Sequence, residues 1–104
     1  MDQVNQIHWL KKPMVDQCVR IAEEEKNVRR MIIFGSSVTE KCREDSDVDI
    51  CVDMRSGQTS PETYRTLMRM TKACGLNCDI VFYGDIKGRL KDEIEQNGVT
   101  VYVS

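Results

Sequence analysis

The stretch that decides the fold is Phe34-Gly35-Ser36-Ser37-Val38-Thr39-Glu40-Lys41-Cys42-Arg43-Glu44-Asp45-Ser46-Asp47-Val48-Asp49-Ile50-Cys51-Val52-Asp53. An apolar run, Met31 to Phe34, ends in a Gly-Ser turn. Ten residues, 37 to 46, separate that turn from Asp47-Val48-Asp49, which leads into Ile50-Cys51-Val52. A strand over the last piece puts Asp47 and Asp49 on one face and Val48, Ile50 and Val52 on the other, because side chains alternate along a strand. Two carboxylates about 5 Å apart at an effective dielectric near 20 repel by roughly 3 kcal/mol. A chain that keeps such a pair surrounds it with solvent or binds a cation. Neighbouring oxygen ligands suit Mg2+, which takes one or two carboxylates plus substrate phosphates.

Working outward, Met31-Ile32-Ile33-Phe34 is a short continuous apolar run and reads as a buried strand. Upstream, Val15, Cys18, Val19 and Ala22 fall at helical spacing after Pro13, which suits a first helical turn. Residues 1 to 12, with Val4, Ile7, Trp9 and Leu10, fit a short docked helix. After the Gly-Ser turn, residues 37 to 44 are expected to form a short helix whose first amides are open to an anion. Thr59 or Ser60 is the expected N-cap of a helix beginning at Pro61. Tyr64, Leu67, Met68, Thr71 and Cys74 keep helical spacing there, and Gly75 stands at the expected C-cap. Cys78 to Tyr83 alternates as a third strand, with Cys78, Ile80 and Phe82 on one face and Asp79, Val81 and Tyr83 on the other. Ile86, Leu90 and Ile94 mark a last helix, and Val99, Val101 and Val103 a last strand. The expectation is an α/β (α+β) fold, a mixed sheet of about four strands flanked by helices, in one domain over 1–104.

The totals narrow the function classes. A net charge of -2 gives no basic field, so no nucleic-acid partner is expected. No apolar run approaches transmembrane length, and the start lacks a signal segment, so no membrane partner is expected. The five cysteines, an odd count without a secretion signal, read as reduced thiols of a cytoplasmic protein. Cys74 and Cys78 have zinc-like spacing, but no second Cys/His pair completes a site and His8 is the only histidine.

Gly-Ser after a strand is by itself a turn, and Asp-x-Asp by itself a strand cap. Together they require a loop that returns the second strand beside the first, with phosphate donors next to metal ligands. Gly35 lets the backbone approach a ligand closely, and Ser36 adds a hydroxyl. The pattern Gly35-Ser36, ten residues, Asp47-x-Asp49, with Ile33-Phe34 and Ile50-Cys51-Val52 flanking it, resembles the signature of the DNA polymerase beta-like nucleotidyltransferases. The length resembles the minimal (MNT) group of that superfamily, and the likeness covers nearly the whole chain.

The resemblance implies roles. Asp47 and Asp49 would hold Mg2+, Gly35, Ser36 and Ser37 would bind the nucleotide phosphates, and Asp79 would be the third carboxylate and nearest the acceptor. The substrate would be ATP or another nucleoside triphosphate, attacked at its α-phosphate by an acceptor hydroxyl with pyrophosphate leaving. In the minimal group the partner is typically a small helical HEPN protein, the two acting as toxin and antitoxin, with a HEPN tyrosine adenylylated. The sequence departs from the group where basic residues and a glycine are common, at Ser37, Thr39 and Glu40. Lys41 and Arg43 either replace that charge or face solvent. The departure supports an alternative, a catalytically weak module that neutralises its partner by docking. Transfer to a small molecule such as an antibiotic is a further alternative. Tyr83 shares a strand face with Asp79 and either packs at the rim or meets base or acceptor; Asp45 and Asp53 read as loop and strand-end residues.

Overall fold

The computed structural model describes residues 7–55, 60–74 and 77–104. Four strands, β1 (Val28–Phe34), β2 (Val48–Met54), β3 (Cys78–Phe82) and β4 (Val99–Val103), form one sheet in the order β3-β2-β1-β4. β1 runs antiparallel to both β2 and β4, and β2 runs parallel to β3. The helices are α1 (Lys12–Glu24), α2 (Pro61–Cys74) and α3 (Gly88–Asn97). The parallel pair requires a crossover, and α2 supplies it.

Both faces of the sheet are covered. Val15, Cys18 and Ala22 of α1 and Met70 and Cys74 of α2 pack with Met31, Ile33, Val48, Ile50 and Val52. On the opposite face Ile94 of α3 and Ile86 pack with Ile32, Phe34 and Cys51. A strand covered on both sides reads as a continuous apolar run rather than an alternating one, which explains Met31 to Phe34.

The structure corrects several local expectations. Among the described residues, 7–11 form turns, and the helix begins only at Lys12, with Pro13 in its first turn. Proline fits there because its missing N–H has no helical partner to lose. Residues 37–44 do not form a helix: a 3-10 turn covers Gly35–Val38 and turns follow. Side chains take the backbone bonds a helix would need. Thr39 Oγ1 accepts from Lys41 N at 3.1 Å, and Ser46 Oγ accepts from Arg43 N at 3.0 Å. In α2 the buried set is Thr63, Thr66, Met70 and Cys74, while Tyr64 and Met68 are exposed. Ser60 Oγ accepts from Thr63 N at 3.1 Å, the expected N-cap bond. The expectations for Val4, Thr59 and Gly75 lie outside the described residues. The third strand ends at Phe82, one residue early, because Tyr83 opens a 3-10 turn.

Candidate active site

The end of β1 and the starts of β2 and β3 meet in one corner. Phe34 of β1 stands opposite Asp49 of β2, and Asp49 stands opposite Asp79 of β3. Directly paired positions on adjacent strands hold their Cβ atoms about 5 Å apart, so the register alone brings the two carboxyl groups together. Val48, Ile50 and Val52 sit in the α1/α2 core, so Asp49 projects from the other face by alternation. Asp47 precedes β2 by one residue and is exposed, as is Asp79; Asp49 is half-buried.

Burial, then the charges of Asp79 and Asp47, hold the Asp49 carboxyl above the ordinary aspartate range. The repulsion expected from the sequence is therefore felt at Asp49, from both neighbours. Three carboxylates offer hard oxygen donors, the chemistry of a site for a hard divalent cation. Among the described residues no three His, Cys, Asp or Glu converge into a ready-made metal cage.

Gly35 closes the corner. Its φ is +76°, in the left-handed region, and a Cβ there would collide with Asp49 Oδ2 and lie 3.2 Å from its Cγ. Ser36 is half-buried and Ser37 fully buried. The Ser37 hydroxyl has no hydrogen-bond partner among the described residues, whereas its carbonyl accepts the His8 N–H at 2.7 Å. Lys41 and Arg43 are exposed, as are Thr39, Glu40 and Asp45.

Tyr83 lies on the α3 side, packed against the Ile32, Phe34 and Cys51 cluster. Its hydroxyl donates to Glu95, and the Arg30 guanidinium sits 4.6 Å from its ring centroid. Burial raises the Cys51 thiol to about 11, with Arg30 pulling it down and Asp53 up. Burial likewise pushes Cys78 up to about 12, so neither is a thiolate at neutral pH. One element of the corner was not anticipated: Lys11, whose ammonium donates to the Glu44 carbonyl at 2.9 Å. A lysine two residues before a proline carries no sequence signal for that contact.

This geometry has relatives. A family model for polymerase beta nucleotidyltransferases matches residues 16–104. The chain belongs to the polymerase beta nucleotidyltransferase family. Over 74 residues it is 32% identical to MJ0435 of Methanocaldococcus jannaschii, which carries a provisional protein-adenylyltransferase designation; the match spans 71% of this chain and 80% of that protein. Among solved structures, a toxin-antitoxin crystal structure with AMP-PNP superposes with a TM-score of 0.69 over 86% of this chain and 73% of that one, at 14% identity. A tri-AMPylated Shewanella oneidensis HEPN toxin in complex with its MNT antitoxin gives a TM-score of 0.65, covering 90% and 73% of the respective chains, also at 14% identity. At that identity the likeness is one of fold: the nucleotidyltransferase sheet and its helices are shared. No helix among the described residues is long and apolar enough to cross a membrane.

Proposed function

We propose that this nucleotidyltransferase moves AMP from ATP onto a tyrosine hydroxyl of a HEPN-type partner, as the antitoxin of a toxin-antitoxin pair in the cytoplasm. The observation that carries the reading is the row Gly35, Asp49, Asp79, in which a glycine leaves room for a carboxylate that itself faces a second carboxylate. The designation of the Methanocaldococcus relative supports protein as the acceptor, and the MNT-HEPN composition of a structural neighbour supports the kind of partner.

Asp47, Asp49 and Asp79 would hold Mg2+, which when bound neutralises charge on the phosphates and polarises the α-phosphorus. Mg2+ is held by one or two carboxylates plus substrate phosphates rather than by an all-protein cage, which suits a corner where the described residues form no closed cluster of three ligands. Gly35 and Ser36 offer a close backbone approach and a half-buried hydroxyl to the phosphates, with Ser37 behind them. Asp79 would receive the proton of an incoming hydroxyl, a reading supported by its exposure at the strand start.

The test is transfer of α-labelled AMP from ATP to a co-purified HEPN partner in Mg2+. Transfer is expected with the native chain and should fall at least about a hundredfold in D47N, D49N and D79N. Native protein that binds no ATP and labels no partner would sink the proposal. The buried Ser37 hydroxyl and the exposed, uncharged Thr39 favour a second reading, neutralisation by docking alone. Under that reading a folded D47A/D49A double variant still protects cells from the partner.

A further inference from the structure

A short strap precedes α1 and touches both halves of the candidate site. Ile7 anchors it in the core, and Trp9 stays exposed on its outer side. The His8 N–H donates to the Ser37 carbonyl at 2.7 Å, gripping the turn that begins at Gly35. Lys11, only 3% exposed, donates from its ammonium to the Glu44 carbonyl at 2.9 Å, gripping the loop that leads to Asp47. The strap is itself fixed internally: Leu10 N donates to His8 Nδ1 at 3.2 Å and Lys11 N to the His8 carbonyl at 2.9 Å. The family match begins at residue 16, beyond the strap.

Enclosing a lysine is costly unless its charge is answered. Among the described residues no carboxylate lies within 4.0 Å of the Lys11 ammonium; its partner is the Glu44 carbonyl of the loop. An apolar side chain of similar length would fill the same space without that cost. Packing alone therefore does not account for a lysine here, whereas holding a loop does.

We propose that the segment from Ile7 to Lys11 is a positioning strap, and that Lys11 fixes the loop 39–46 so that Asp47 is held at a set distance from the Gly35–Val38 turn. Lys11 touches no reacting group; it acts through the Glu44 carbonyl. Without it, the hydrogen bonds left to loop 39–46 among the described residues are local: Thr39 N and Oγ1 to the Ser36 carbonyl, Lys41 N to Thr39 Oγ1, the Cys42 thiol to the Arg43 carbonyl, and the reciprocal Arg43–Ser46 pair. These bonds tie the loop to itself and to the turn; its other hold on the domain is the buried Cys42 side chain, which packs but does not fix the loop by a hydrogen bond beyond it.

The consequence for a cation at Asp47 and Asp49 rests on the proposed function; the ordering of the loop does not. The experiment compares the full-length chain with K11M by backbone 15N relaxation, thermal melting and Mn2+ titration. Loop 39–46 is expected to move from the rigid range of order parameters, about 0.85, to below about 0.6, while the strands stay rigid. The melting temperature is expected to be equal or higher, and Mn2+ affinity to fall about tenfold, as when an outer support of a metal ligand is removed. A general structural role would instead lower the melting temperature and loosen the strands with the loop, which would overturn the proposal. Unchanged order in the loop of a folded K11M would overturn it as well. Should K11M fold poorly, H8P, which deletes the N–H bound to Ser37, is measured in the same way. A native chain that binds no Mn2+ removes the metal reading, and the relaxation comparison still decides the strap.

Discussion

Gly35 and Asp49 share one space: the position a Cβ would take at residue 35 is where the Asp49 carboxylate lies. Gly35 also holds φ at +76°, which an L side chain adopts only at a cost. G35A is therefore expected to lose about 1–3 kcal/mol of stability and to displace Asp49. Denaturant unfolding measures the first effect and Mn2+ titration the second. A G35A variant with native stability and native cation affinity would show that the turn is looser than its geometry.

Asp49 carries a cost of its own. It is half-buried and faces Asp79 across β2 and β3, and its carboxyl is held above the usual range by burial and by those charges. Removing its charge while keeping its shape should stabilise the domain. D49N is expected to melt a few degrees higher than the native chain at pH 7 in chelator, a gain of about 1 kcal/mol after solvent screening. The same substitution should abolish AMP transfer, so stability and activity move in opposite directions. An equal or lower melting point would mean that Asp49 makes compensating bonds.

Much of this corner was legible because two signals are short-range. Met31 to Phe34 and Val48 to Val52 announce strands by composition, and alternation alone separates Asp49 from Val48 and Ile50. Asp79 needed more, since its partnership depends on the β2–β3 register, which a sequence fixes only through the parallel crossover of α2. Loop 39–46 was illegible because Thr39 and Ser46 spend their hydroxyls on nearby amides, a competition that periodicity does not register. Lys11 was illegible for a different reason: its meaning lies in a contact 33 residues away.

The buried face of α2 is not the one its largest apolar side chains mark, and the reason yields a prediction. Hydropathy ranks Tyr64, Leu67 and Met68 above Thr63 and Thr66, yet the threonines are buried. Their hydroxyls are answered: Thr66 Oγ1 donates to the Glu62 carbonyl at 2.9 Å, and Asn27 Nδ2 donates to Thr63 Oγ1 at 3.1 Å. With the hydroxyls satisfied, the small methyl faces pack close to the sheet. M70A is expected to cost about 2–4 kcal/mol and M68A less than about 0.5 kcal/mol, measured by denaturant unfolding. Reversed costs would return the helix to the face its hydropathy suggests.

Glu25 ties α1 to α2 and gives the domain an acid-sensitive joint. It follows the last residue of α1, and its carboxylate accepts from Arg65 Nε at 2.8 Å and Nη2 at 3.2 Å. Thr66 and Arg69 stand nearby, at 3.4 and 3.9 Å. The Arg65 hydrogen bonds chiefly hold the Glu25 carboxyl below its ordinary value of 4.5; burial pushes the other way and the nearby guanidinium charges add to the lowering. A carboxyl whose folded pKa is depressed takes up protons more readily in the unfolded chain. Its contribution is therefore fully present above about pH 4.5 and is lost as the pH falls through the lower folded value. E25Q keeps the shape and removes the charge, so it should melt a few degrees below the native chain at neutral pH. That gap should stay constant down to about pH 5 and then close in more acid solution, as the native carboxylate is protonated. Melting curves for the two proteins from pH 7 to pH 3 make the comparison, and curves that run parallel into acid would show that the Arg65 bond adds nothing to folding.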